Sequence, residues 1–385
     1  MRKTGVIKLI AAALAVASVP FAVRAVIENP PDSNMIMNAA LHFSQTAFFS
    51  TEKVDTIGNG SYILYKPEPV VTEQTEQPQT EPPLLTEPPV TSVPHQEEKE
   101  YLISQNISDE REDLSVFNNR SGSVSSITYT ANPGENFLNL PSGAQVRNCT
   151  ELSNDFVSEE IMKAPELKVE MWSDEPQVLI IHTHTSESYL ISGEYYDDEY
   201  SSRTLDSSQN VVSVGARIAQ TLAQEGVCVL HDGTIHDYPL YNGSYARSEA
   251  TITRLLAEYP SIKVVLDIHR DAIVQEDGSW VSAVNDVEGK QAAQVMIISA
   301  CGDGYYYVPD YLENLHFASA LQDKMEEKYK GLTRPVLFDY CQYNQHITTG
   351  SLLIEIGSHG NTLEQALYSA ELVGKSLAEL FKEMS

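Results

Sequence analysis

The chain has 385 residues and carries 54 acidic against 25 basic side chains, a net charge of −29. That length exceeds one ordinary domain, so a globular unit with accessory segments is expected. The acidic balance excludes the basic footprint of a DNA- or RNA-binding protein. The four cysteines, Cys149, Cys228, Cys301 and Cys341, include no CxxC pair, which excludes a zinc ribbon or a disulfide framework and leaves buried single thiols.

At the N-terminus, Arg2, Lys3 and Lys8 precede the apolar run "LIAAALAVASVPFAV", which Arg24 closes. Basic residues before an apolar run mark a secretory signal or a membrane anchor. Counted from Leu9 the run is shorter than the roughly 20 residues of a spanning helix. Counted from Val6, with Lys8 snorkelling to the interface, it comes close. No clean peptidase site follows, so residues 1–27 read as an uncleaved anchor, with the rest of the chain exported. Residues 28–65 form a juxtamembrane segment with scattered aromatics and no evident function. Residues 66–120 shift to Pro, Glu, Thr and Gln with almost no aromatic residue. Such a stretch buries too little apolar surface to offset its ordering entropy, and it reads as a disordered, extended spacer.

Residues 121–385 read as the catalytic domain. Five runs rich in Val and Ile, residues 178–182, 227–231, 262–269, 294–298 and 352–356, read as strands. Between them, apolar residues recur at helical spacing: Val211, Val214, Ile218 and Leu222, then Ile252 and Leu255, then Leu315, Leu321 and Met325. The last helix opens at Asn361 as cap, with Glu364 three residues on. This alternation predicts an α/β fold with a mainly parallel sheet and helices on both faces.

Ligands of open α/β sheets bind beyond the carboxyl ends of the strands. Here those ends carry His182, His184 and Glu187, then His231 and Asp232, then Asp267, His269, Arg270 and Asp271, and finally Glu355. Eight of the ten histidines lie after residue 180. One alone would read as a satisfied core histidine; three converging strand ends point to a metal. A catalytic zinc takes three imidazole or carboxylate ligands and keeps one position open. His184 and Glu187 supply two from one loop and His269 a third, while Glu355 is placed as the base that moves the water's proton. Ligand type favours zinc and leaves cobalt or manganese open.

Were the first strand to continue to His184, His182 and His184 would share a face, the H-x-H arrangement of barrel metallohydrolases. A barrel needs about eight strand–helix units, and five strand runs are visible. His184 is therefore preferred as ligand and His182 as a supporting or structural residue. No G-x-S-x-G elbow is present, and no cysteine has an activating local context.

Three stretches, "VLIIHTHTSESY" (178–189), "DIHRDA" (267–272) and "LLIEIGSHGNTLEQA" (352–366), resemble the stage II sporulation protein P family. Further matching stretches are "VRNCT" (146–150), "RTLDSSQNVVSVG" (203–215), "HDYPLYNGSYARS" (236–248) and "YNQH" (343–346). The resemblance implies a phosphorylase/hydrolase-like α/β fold of the zinc amidase and carboxypeptidase type. It implies a zinc-dependent N-acetylmuramoyl-L-alanine amidase that cuts peptidoglycan between N-acetylmuramic acid and L-alanine during engulfment, with some members also cleaving cross-links. Carried over by motif, the ligands are His184, Glu187 and His269 and the catalytic residue is Glu355, with Arg270 and Asp271 beside the metal. Implied partners are stage II sporulation proteins D and M, and the implied location is the septal space, anchored by a single pass in the membrane. Two alternatives remain. One is a metallopeptidase or carboxypeptidase with the same ligands acting on peptidoglycan cross-links, where a carboxypeptidase would need an arginine for the terminal carboxylate and Arg270 and Arg247 are the nearby candidates; the other is a non-enzymatic wall-binding scaffold.

Overall fold

The computed structural model describes residues 62–67, 122–191, 195–196, 202–302 and 306–385. The expected anchor and nearly all of the spacer lie outside the described residues, and among those residues no helix is long and apolar enough to cross a membrane.

Strands β1 (Tyr62–Tyr65), β3 (Phe137–Asn139), β4 (Gln145–Asn148), β5 (Val178–Ile181), β7 (Val229–Asp232), β8 (Val264–Asp271), β11 (Val295–Cys301), β12 (Val336–Tyr340) and β13 (Ser351–Ser358) form one sheet in the order β1-β7-β5-β8-β13-β11-β12-β4-β3. A four-stranded sheet holds β2 (Gly122–Ile127), β6 (Tyr195–Tyr196), β9 (Trp280–Val287) and β10 (Lys290–Ala293) in the order β10-β9-β2-β6. The helices are α1 (Asn154–Glu160), α2 (Val211–Gln224), α3 (Ser244–Glu258), α4 (Tyr311–Lys328) and α5 (Leu363–Glu383).

All five expected strand runs are strands, but the sheet is mixed rather than mainly parallel. β7, β5, β8 and β13 run parallel to one another. β11 then turns against β13, and β1 and β3 pair antiparallel at the two edges. Helices do cover both faces. Val178 and Ile180 of β5 join the main core with α2, α4 and α5, whereas Leu179 and Ile181 face Ile252 and Leu255 of α3, as the two-residue strand period requires. The last helix is capped by Thr362, which accepts from Gln365 N while the Gln365 side chain reaches back, so the capping box sits one residue beyond the expected Asn361 and Glu364. Asn361 instead accepts the Ser358 N–H at 2.9 Å. The four cysteines are free.

Two glycines fix how the sheet meets its surroundings. In β13, Gly357 has φ of 68° at an irregularity between Glu355 and Ser358, and a side chain there would meet Ala293 Cβ at 2.7 Å. Such a bulge re-aims the end of a strand. In α2, a Cβ at Gly215 would stand 2.6 Å from the His182 ring and 2.9 Å from His231 Nε2. α2 therefore lies directly on a buried imidazole pair.

Strand β1 belongs to the sheet although the long acidic segment separates it from β2. Tyr62 is buried, its hydroxyl donates to Glu258 at 3.0 Å, and its ring meets Tyr259 edge-on. A chain beginning at residue 120 should therefore be less stable than one beginning at residue 55, by about 2–4 kcal/mol for the lost ladder and tyrosine burial. Urea unfolding of the two chains checks this, and equal midpoints would show that β1 contributes nothing. Gly215→Ala should also destabilise, by about 1–3 kcal/mol through overpacking, even though alanine is the better helix former by about 1 kcal/mol. A melting temperature at or above wild type would mean that the imidazole pair yields to the new methyl group.

Candidate active site

Because β5, β8 and β13 are adjacent and parallel, their carboxyl ends open at the same edge, and Glu355 lies opposite His269 in the ladder. A turn follows β5, closed by Glu187 N–H donating to His184 O at 3.0 Å. This turn carries His184 and Glu187 over the end of β8. The rings of His184 and His269 meet edge-on with centroids 5.3 Å apart, and His269 Nδ1 is 3.3 Å from Glu187 Oε2. All three side chains are buried.

Strand β5 ends at Ile181, so His182 and His184 do not share a strand face. Each nitrogen of His182 is engaged away from the site: Nδ1 donates to Ile268 O at 2.9 Å, and Nε2 accepts from His231 Nε2 at 2.9 Å. Burial pushes the His182 imidazole down to about 4 and holds His231 well below its usual range, which keeps this pair neutral and structural. His184 differs. Its Nε2 faces the Tyr241 hydroxyl at 3.0 Å, while its buried Nδ1 has no hydrogen-bond partner among the described residues.

Glu187 is the most heavily supported group. Arg270 N–H donates to its Oε2 at 3.2 Å, and the guanidinium groups of Arg270 and Arg203 approach Oε1 at 3.7 and 3.3 Å. Burial raises its proton affinity, but Arg270, His269 and Arg203 outweigh that and hold the carboxyl well below its ordinary range. Arg203 is itself fixed by Asp237 Oδ2 at 2.7 Å. Asp237 also accepts from Ser186 Oγ at 2.6 Å. Arg270 also donates Nε and Nη2 to the carbonyls of Ser188 and Ser202. It supports the Glu187 turn.

His269 stands between two carboxylates. Its Nε2 lies 2.9 Å from Asp267 Oδ1, off the line of the N–H, so this is an ion-pair contact rather than a well-directed hydrogen bond. Asp267 is held in place by the backbone and hydroxyl of Thr183 at 2.8 and 2.6 Å. Burial lowers the His269 imidazole, but Asp267 and Glu187 outweigh it and hold it well above its usual range. Glu355 has a buried Oε2 with no partner among the described residues. Burial pushes its carboxyl up; His269 pulls it back and the Glu187 and Asp271 charges add to the rise. Asp271 sits at the rim, where its Oδ2 accepts from Arg334 Nη1 at 2.8 Å.

As they stand among the described residues, no three His, Cys, Asp or Glu side chains are arranged to hold a metal ion. The donor set nevertheless suits zinc. His184 Nδ1 is orphaned, Glu187 is kept ionised, and His269 turns one nitrogen to Glu187 and the other to Asp267, the second-sphere carboxylate that zinc-bound histidines commonly use.

The supporting residues Arg203, Asp237, Asp267 and Tyr241 were not assigned roles from sequence. Arg203, Asp237 and Tyr241 lie in "RTLDSSQNVVSVG" and "HDYPLYNGSYARS", stretches that match the family without any chemistry legible in them.

The chain is 30% identical over 224 residues to stage II sporulation protein P of Bacillus subtilis (strain 168), a match covering 55% of this chain and 51% of that protein, so it spans about half of its relative. Among solved structures it is similar to the N-acetylmuramoyl-L-alanine amidase AmiC2 of Nostoc punctiforme, with 14% identity, a TM-score of 0.32, and coverage of 55% of this chain and 97% of that one. It is also similar to an N-acetylmuramoyl-L-alanine amidase from Clostridium difficile 630, with 11% identity, a TM-score of 0.33, and coverage of 55% and 97%. Those two likenesses are weak, and the assignment rests on sequence. The profile of the family described as stage II sporulation protein P matches residues 63–381, from β1 to the last turn of α5 and through every residue of the site, and the chain belongs to that family.

Proposed function

We propose that this chain is a zinc-dependent N-acetylmuramoyl-L-alanine amidase that cuts peptidoglycan between N-acetylmuramic acid and L-alanine during engulfment. In this reading it is held at the membrane by residues 1–27, faces the septal space, and works with stage II sporulation proteins D and M. The observation that carries the reading is the gathering of His184, Glu187, His269 and Glu355, distant in sequence, at the ends of three adjacent parallel strands.

His184, Glu187 and His269 would hold the ion. Zinc, when bound, lowers the pKa of water towards about 7 and polarises a carbonyl oxygen. The chain supplies the rest. Arg270 and Arg203 keep Glu187 ionised and in position. Asp267 fixes the orientation of the His269 ring. Glu355 is half-buried beside His269, with a buried oxygen left free and a raised proton affinity, which suits a group that takes a proton from water and hands it to the departing amide nitrogen. Arg270 and Arg247 are each engaged by backbone carbonyls, which favours the amidase over the carboxypeptidase alternative.

Metal content and muropeptide release should be measured on the full chain beside His184→Ala and Glu355→Gln. Wild type should carry zinc and free intact stem peptides from the glycan. His184→Ala should lose the metal, whereas Glu355→Gln should keep it and slow by about 10²–10⁴-fold. Shortened peptides with the glycan link intact would favour the peptidase. No metal and no released peptide in any sample would sink the enzyme reading and favour the scaffold.

A further inference from the structure

Two of the stretches that match the family, "HDYPLYNGSYARS" (236–248) and "YNQH" (343–346), contribute no candidate ligand or base. The fold brings them together beside His184. Tyr241, 52% exposed, stacks on the His184 ring at 4.5 Å and 12°. Tyr245 meets the same imidazole edge-on at 5.5 Å, and Tyr343, 37% exposed, lies 5.3 Å from Tyr245. Tyr241 and Tyr245 thus flank the candidate metal ligand, and Tyr343 continues the aromatic surface from Tyr245.

The backbone that presents Tyr343 is strained. Tyr343 has φ of 44°, in the left-handed region that a bulky residue avoids, and Asn344, which tolerates that region, follows at 56°. Buried hydrogen bonds hold them there. Asn344 Nδ2 donates to Tyr245 O at 3.0 Å and Ser248 Oγ at 2.9 Å, and Gln345 accepts from Ala300 N and donates to Ile298 O, both at 2.9 Å. Strain maintained by this many contacts, with an aromatic ring left half-exposed as its product, points to a function for the ring.

Resting on the reading of the site as a peptidoglycan amidase, we infer that Tyr343, with Tyr245 and Tyr241, is a platform for a neutral pyranose ring of the substrate's glycan strand. One face of a pyranose carries C–H groups polarised by the ring's oxygens, and these complement the negative face of an aromatic ring. The stem peptide carries free carboxylates and would need a cation here. The two guanidinium groups beside these rings are already engaged. Arg203, over the Tyr241 ring at 4.8 Å, is paired with Asp237 and Glu187, and Arg247 is spent on the carbonyls of His236, Leu240 and Asn242. Arg334, which keeps Nε and Nη2 without partners among the described residues, stands with Asp271 instead.

The test uses the zinc-loaded full chain carrying Glu355→Gln, with three probes: intact sacculi, glycan strands stripped of their stem peptides, and free stem peptide. Tyr343→Phe and Tyr343→Leu are added separately to that background; both keep a Cβ and apolar bulk at the strained position, and only the first keeps an aromatic face. Stripped glycan should bind, Tyr343→Phe should bind it within about twofold, and Tyr343→Leu should weaken it about tenfold. Equal binding by the two variants, or binding of sacculi and stem peptide but not of stripped glycan, overturns the platform and leaves the amidase reading standing. Glycan binding that depends on the Tyr343 ring, in a chain whose wild-type form cuts no sacculi, leaves the platform and overturns the amidase. Failure to bind any of the three overturns both.

Discussion

An ionised carboxylate removed from water is costly unless it is paired and hydrogen-bonded, and Glu187 is only 5% exposed. Much of the local architecture answers that constraint. Arg270 closes β8 with a backbone N–H and a guanidinium aimed at Glu187. The same guanidinium ties down the carbonyls of Ser188 and Ser202, on the two segments that run past each other after β5. Arg203 then needs a counter-charge of its own, which Asp237 provides from the loop after β7. Three separate loops are thereby fastened around one side chain. Removing either arginine would weaken the compensation of a buried charge, and loss of Arg203 would also leave Asp237 without its cation.

What the sequence revealed and what it concealed have physical causes. The runs at 178–182 and 262–269 are legible because strands buried on both faces are continuously apolar, and polar residues then stand out at their ends. The same property hid the direction of β11. A central strand is buried on both faces whichever way it runs, so Val295–Cys301 looks the same parallel or antiparallel. The small sheet was illegible because β2, "GSVSSI", has little apolar character, and β10 is only four residues long. His182 and His184 could not be separated by spacing alone. What separates them is where β5 stops, and the His231 that occupies one nitrogen of His182 comes from a different strand. Arg203 and Asp237 act through tertiary contacts with a turn some 16 and 50 residues away, as the separations of their hydrogen bonds to Glu187 and Ser186 show, and no local pattern announces them.

Strand β1 alters the meaning of the acidic segment. Tyr65 ends β1 on the edge of the large sheet, and Gly122 begins β2 in the small one. The segment between them therefore leaves the domain and returns to it. Its length does not lie between the N-terminal apolar run and the domain, so it adds nothing to the distance the domain can reach from an anchor at residues 1–27. Any such reach has to come from the residues ahead of Tyr62.

The charges at the site bear on why a divalent cation suits it. Glu187, Asp237, Asp267, Asp271 and Glu355 set five carboxyl groups against the guanidinium groups of Arg203, Arg270 and Arg334, an acidic excess of two. Asp267 and Glu187 favour a proton on His269, and burial favours one on Glu355; together these would offset that excess. A dication held by His184, Glu187 and His269 would require the His269 proton to leave, since a metal takes the neutral imidazole. It would also lower the proton affinity of Glu355 beside it, freeing that carboxylate to accept a proton from water. The net charge of the buried cluster would be the same before and after. On the proposed reading, binding would exchange those two protons for one metal ion, with no new counter-charge required from the loops that already enclose Glu187.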